Sequence, residues 1–224
     1  MAGPDVPWYD GITSKRRILT VFQGKSVTSS PIWSNVVPKA VKDFTDLFNN
    51  LKLNVGLALA KPTEQPEAGS FQFGGADIWV EALEQFTFPI AGRNVNLDFA
   101  TEPFAQGITE KQVWDFGIKD QVKIQVRKAV ILMRPNPQSD DFPRRVGNGV
   151  LGCWTVHEFI HAVGLTAHTH GAGDLYEANP ALRSGKRDDP ETDKLEVRGG
   201  DKVPPIKTLT GDTIKRIQTL WPKP

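Results

Sequence analysis

The chain reads as an α/β (α+β) protein in which strands and helices interleave, followed by an irregular stretch and a closing helix. Three observations carry that expectation. Short segments of alternating apolar residues recur through the first two-thirds, as in strands with one buried face. Longer segments either space their apolar residues as a helix does or run almost wholly apolar. Between 167 and 205 no period holds, and Gly, Pro and charged residues dominate.

Taken in order, 18–22 is a short apolar run and the first expected strand. Pro38 suits the first position of a helix, and Ala40, Val41, Phe44, Leu47, Phe48 and Leu51 continue it at helical spacing. Leu53, Val55, Leu57 and Leu59 alternate as a strand; 61–75 is a loop rich in Pro, Gly and Gln. Ile78 and Val80 belong to the next strand, and Val95, Leu97 and Phe99 to a candidate edge strand. Val122, Ile124 and Val126 alternate and 129–133 is apolar, so one or both are strands. A loop over 134–149 precedes a helix at 149–163. The last helix starts near an N-cap at Thr210 with Asp212 in its first turn. Ile214, Ile217 and Leu220 form its apolar stripe, and Pro222 ends it. There is no internal repeat.

Composition fits one domain over 1–224. Hydrophobic residues are 39% and charged residues 24%, values of globular chains. A net charge of +1 points to neither nucleic acid nor an anionic membrane. No apolar run is long enough to span a bilayer. The opening MAGPDVPWYDGITSKRR lacks a signal-peptide core, and no pro-segment is visible. The expectation is a cytoplasmic, particle-associated or non-standardly exported protein of open oligomeric state. The single cysteine, Cys153, excludes an internal disulfide framework.

All four histidines lie between positions 157 and 170, in the string HEFIHAVGLTAHTH. It opens with H-E-x-x-H. Residues four apart share a helix face, so His157 and His161 offer two imidazoles to one metal. Glu158 stands ready as general base on a metal-activated water. A catalytic zinc needs a third protein ligand and an open position. Were the helix to continue, His168 would lie roughly 10 Å further along the axis at about 1.5 Å per residue. The chain must therefore turn back, and Gly164 permits a left-handed turn there. His168 and His170 are the two candidates for the third ligand.

This string resembles the metzincin signature H-E-x-x-H-x-x-G-x-x-H. His157, Glu158, His161 and Gly164 match it, whereas Ala167 stands at the third histidine's position and His168 follows by one. VGNGVLGCWTVHEFIHAVGL resembles a matrixin-type active-site helix, LTGDTIKRIQTLW the C-terminal helix, and ADIWVEAL the strand before the edge strand. The Met-turn methionine has no counterpart, because Met1 and Met133 both precede the motif. Leu175-Tyr176 stands about where a Met-Tyr pair is expected. Leu175 reads as an apolar replacement beneath the metal, and Tyr176 as a structural residue or one that approaches substrate.

The resemblance implies a zincin/metzincin-like fold: a mixed twisted sheet, an active-site helix, a second packing helix, an irregular C-terminal subdomain and a C-terminal helix. It implies one metallopeptidase-like domain over 1–224, with an upper sheet-and-helix part at 1–164 and a lower part at 165–224. One catalytic zinc would be held by His157, His161 and His168, with Glu158 as the base. The partner would be an extended polypeptide paired on the 95–99 strand.

Other residues take plainer readings. Cys153, one turn before His157, reads as a buried thiol, and Trp154 as packing. Asp140-Asp141 reads as a turn. The run KRDDPETDKLEVRGGDK raises calcium but lacks the EF-hand order, so it reads as a solvated loop. Three function classes fit: a zinc endopeptidase, a zinc amidase acting on cell-wall peptides, and a structural or binding protein such as a virion component. Glu158 favours the first two, because a structural zinc needs no base.

Overall fold

A computed structural model describes residues 3–14, 16–64, 75–90, 93–102, 105–115, 123–136, 138–139, 142–145, 148–169, 174–176, 187–189, 194–196, 202–203 and 208–223. The elements in chain order are α1 (Asp10–Thr13), β1 (Ile18–Gln23), α2 (Lys25–Thr28), α3 (Trp33–Asn50), β2 (Gly56–Leu59), β3 (Ile78–Ala82), β4 (Gln85–Ile90), β5 (Arg93–Asp98), β6 (Gly107–Asp115) and β7 (Ile124–Met133). Then follow β8 (Gln138–Ser139), β9 (Phe142–Arg145), α4 (Asn148–Ala162), β10 (Arg187–Asp189), β11 (Lys194–Glu196), β12 (Lys202–Val203) and α5 (Gly211–Leu220). The α/β class expected from the sequence is the class observed.

The main sheet has the order β2-β1-β3-β7-β6. Its first four strands are parallel, and β6 runs antiparallel along β7 with a register shift at Gln112/Val113. Side-chain alternation splits the strands between two cores. Leu19, Val21, Ile78, Val80, Ala129, Ile131 and Met133 face α3 and α4. Val130 and Leu132 face the β4–β5 hairpin through Phe88, Leu97 and Phe99. Helix α3 buries Trp33, Val36, Val37, Ala40, Val41, Phe44 and Phe48, a stripe at helical spacing. Phe44 meets Phe159 of α4 edge-on at 6.1 Å, which seats the histidine-bearing helix on the scaffold. Among the described residues no helix is long and apolar enough to cross a membrane.

Several expectations are corrected. Pro38 lies inside α3, not at its start. The helix begins earlier because Ser30 Oγ accepts the Trp33 N–H at 3.1 Å, and the buried Trp33 indole donates to Arg134 O at 2.9 Å. The 53–59 strand is cut to β2, since Leu53 and Val55 are buried in the approach to it. From Ile124 to Met133 the two apolar stretches form one strand, β7, and Val122 lies outside the described residues. The 134–149 loop holds the β8–β9 hairpin, and the 167–205 region holds the β10–β11–β12 ladder. The 95–99 segment is not the edge of the main sheet, because β5 pairs only with β4 among the described strands. The edges of the main sheet are β2 and β6, and β6 is the one beside the candidate site. Its polar run Glu110-Lys111-Gln112 conceals the period because one of its faces lines a cleft. Of the 61–75 loop, 65–74 falls outside the described residues, as does Asp140-Asp141.

Candidate metal centre

Helix α4 is buried on nearly every side, from Val150 to Ala162, which explains why its sequence runs apolar without a clean stripe. His157 and His161 lie four apart on it, and each ring is anchored at Nδ1. His157 Nδ1 meets Leu175 O at 2.9 Å. His161 Nδ1 lies 3.2 Å from Leu165 O and 2.8 Å from the Tyr176 hydroxyl.

The helix ends where Gly164 takes φ +126, a conformation that costs a side chain dearly. Space forbids one too: a Cβ there would sit 2.4 Å from Val6 O. Three elements hold the returning chain. Val6 N donates to Gly164 O at 2.9 Å, and Asp5 Oδ1 accepts the Thr166 N–H at 2.9 Å. Lys111 Nζ of β6 donates to Leu165 O at 2.7 Å and Thr166 Oγ1 at 2.8 Å. Arg216 of α5 pairs with Asp5 and donates to Ala167 O at 2.7 Å. Through this tied turn His168 comes back over α4.

His168 Nε2 lies 3.0 Å from Nε2 of both His157 and His161. A carbonyl oxygen only accepts, so Nδ1 of His157 carries a proton. Burial holds the His157 imidazole neutral, with its pKa lowered to about 4, and lowers that of His161 well below its ordinary value. Nε2 of His157 is therefore a bare lone pair, and Leu165 O imposes the same form on His161. At most one proton, on His168, lies among three nitrogens that face one point. That is the donor set of a cation. Zn–N bonds of about 2.1 Å put tetrahedral nitrogens roughly 3.4 Å apart, a few tenths beyond the 3.0 Å seen. The three histidines thus form a cluster that can hold a metal ion.

Glu158 is buried beside them, and burial raises its carboxyl to about 7 against the opposing hydrogen bond from Thr109. Thr109 Oγ1 of β6 donates to Glu158 Oε2 at 2.6 Å. Gly107, also on β6, makes the room: a Cβ there would lie 2.5 Å from Glu158 Cγ. A cleft of about 310 Å³ opens between β6 and the returning turn, bordered by Gly107, Thr109, Lys111, Glu158, His161 and His168. Burial lowers the Lys111 ammonium to about 8.

Beneath the rings runs Asp174-Leu175-Tyr176. Asp174 is fully buried. Its carboxylate accepts from Tyr176 N at 2.7 Å, Thr210 N at 2.7 Å, Thr210 Oγ1 at 2.6 Å and Thr213 Oγ1 at 2.7 Å. Thr210 is the N-cap position of α5 without a side-chain cap of its own, and Asp174 ties its N–H and hydroxyl, with the Thr213 hydroxyl, to the 174–176 segment. Leu175 serves His157 through its carbonyl, and it is Tyr176 that spans the three imidazoles. The structure brings His157, Glu158, His161 and His168 together; His170 lies outside the described residues, as does most of the 186–202 run. Cys153 and Trp154 are buried in the core, and Cys153 is in no disulfide. Sequence reasoning missed Gly107, Thr109, Lys111 and Asp174. Only Asp174 carried a signal, as an acid between glycine and an apolar pair.

No protein-family model matches the sequence, and no curated protein matches it either. Among solved structures it is similar to one described as "Structure of myroilysin", with TM-score 0.39 at 10% identity, covering 98% of this chain and 97% of that one. It is also similar to "Crystal structure of myroilysin", with TM-score 0.36 at 11% identity, covering 92% and 83%. Likenesses this distant carry no inference about this chain.

Proposed function

We propose that this chain is a zinc-dependent endopeptidase of metzincin type, in which His157, His161 and His168 would hold one zinc ion and Glu158 is the general base. The observation that supports this reading is the meeting of three Nε2 atoms, two of them deprotonated by their own Nδ1 partners, beside a buried carboxyl in an open cleft. When bound, zinc supplies the Lewis acidity that brings a water's pKa to about 7 and polarises a carbonyl.

The remaining work falls to the chain's own groups. Glu158, raised to about 7, is matched to proton transfer near neutrality. Thr109 occupies Oε2, so Oε1 takes the proton from the attacking water and returns it to the leaving amine. The outer edge of β6 offers backbone groups to an extended peptide by strand addition, with Lys111 bracing the opposite wall. Cleavage of a generic unfolded protein tests the reading. A chelator is expected to abolish it, and one equivalent of zinc to restore it. Cleavage indifferent to chelator, or absent from zinc-loaded protein, overturns it.

A further inference from the structure

We propose that Tyr176 is the positioning residue of the histidine cluster, its hydroxyl sharing with Leu165 O the hold on the His161 ring in the metal-binding form; this rests on the metal reading above. The ring lies against all three imidazoles, at centroid distances of 5.2 Å to His157, 4.8 Å to His161 and 5.5 Å to His168. Its hydroxyl is 2.8 Å from His161 Nδ1, closer than the 3.2 Å to Leu165 O. With the proton on Nδ1, the phenol oxygen accepts and Nε2 keeps its lone pair for a cation. The backbone at 175–176 also steadies the other two histidines. The Tyr176 carbonyl accepts the N–H of Thr169, next to His168, at 3.2 Å, and the preceding carbonyl anchors His157.

Tyr176 itself is placed from several sides. Asp174 takes its N–H, and the Arg216 guanidinium lies 5.6 Å from its ring centre, held by Asp5. A residue so fixed makes the cluster ready before metal arrives.

Tyr176→Phe keeps the ring and removes only the hydroxyl. In the metal-free protein, nitrogen–proton correlation of the histidine rings is expected to show His161 as the Nδ1–H form. The Phe variant should shift that resonance and leave His157's in place. Zinc affinity, read by competition with a chromophoric chelator, is expected to fall about 10–100-fold, as for loss of a hydrogen-bond partner behind a ligand. A ring that only packs would leave both readouts unmoved, and that result overturns the proposal. Should Tyr176→Phe not fold, the unsubstituted protein decides, because His161 found as the Nε2–H form also overturns it. Should the unsubstituted protein take up no zinc, the metal reading falls, while the ring spectra still decide the role of Tyr176.

Discussion

Replacing Gly107 with alanine inserts one methyl group into a tight contact of the candidate site. The new Cβ would lie 2.5 Å from Glu158 Cγ and 2.7 Å from its Cδ and Oε1. Carbon atoms rest at about 3.5–4.0 Å, so one partner must move by roughly 1 Å. Glu158 has little room to yield: its Oε2 is tied to Thr109 at 2.6 Å, and its helix is buried. Gly107 has little room either, because it pairs with Met133 in the sheet. Overpacking of this kind costs about 1–3 kcal/mol, or about 2–12 °C of Tm in a domain of this size. A catalytic group displaced by about 1 Å costs on the order of 10²-fold in rate. Differential scanning calorimetry, zinc content and initial rates on an unfolded protein substrate together give the test. The expected outcome is a modest loss of Tm, zinc retained, and turnover down about 100-fold. Unchanged turnover would refute the placement of Glu158 as the base held between Gly107 and Thr109.

The other predictions are as direct. Glu158→Gln is expected to keep fold and metal while turnover falls by at least about 10²–10⁴-fold, measured on protein of verified zinc content; comparable activity would remove Glu158 from the chemistry. His168→Ala is expected to lose most zinc affinity and His170→Ala to keep it, and zinc titration of both variants decides which histidine completes the set. Lys111 titrates near 8 when folded against 10.5 as an ordinary lysine. The unfolded chain therefore binds more protons between those values, and stability gains with rising pH through that window. Lys111→Met should lack that gain, so the Tm difference between the two proteins should change from about pH 8 to 10.5 and stay flat below.

Much of this was legible in the residues. Helix α4 lies within one residue of the expected span at each end, because H-E-x-x-H needs a helix and Gly164 must end it. The turn that returns His168 followed from the reach of a straight helix against the length of a metal bond. What stayed hidden is what depends on long-range partners. The edge strand β6 was invisible because Thr109 and Lys111 answer to Glu158 and Thr166, more than forty positions away, not to a strand's apolar period. The 95–99 segment carries the better period because it packs on the far face of the sheet, where apolar contact is all that is needed. Asp174 and Tyr176 owe their roles to α5 and α4 jointly, and no local pattern joins those helices.

Elemental analysis of protein purified without chelator tests the central claim most directly. About one equivalent of zinc per chain is expected from a single three-histidine site. Less than about a tenth of an equivalent, with no uptake when zinc is added, would contradict a metal centre at His157, His161 and His168.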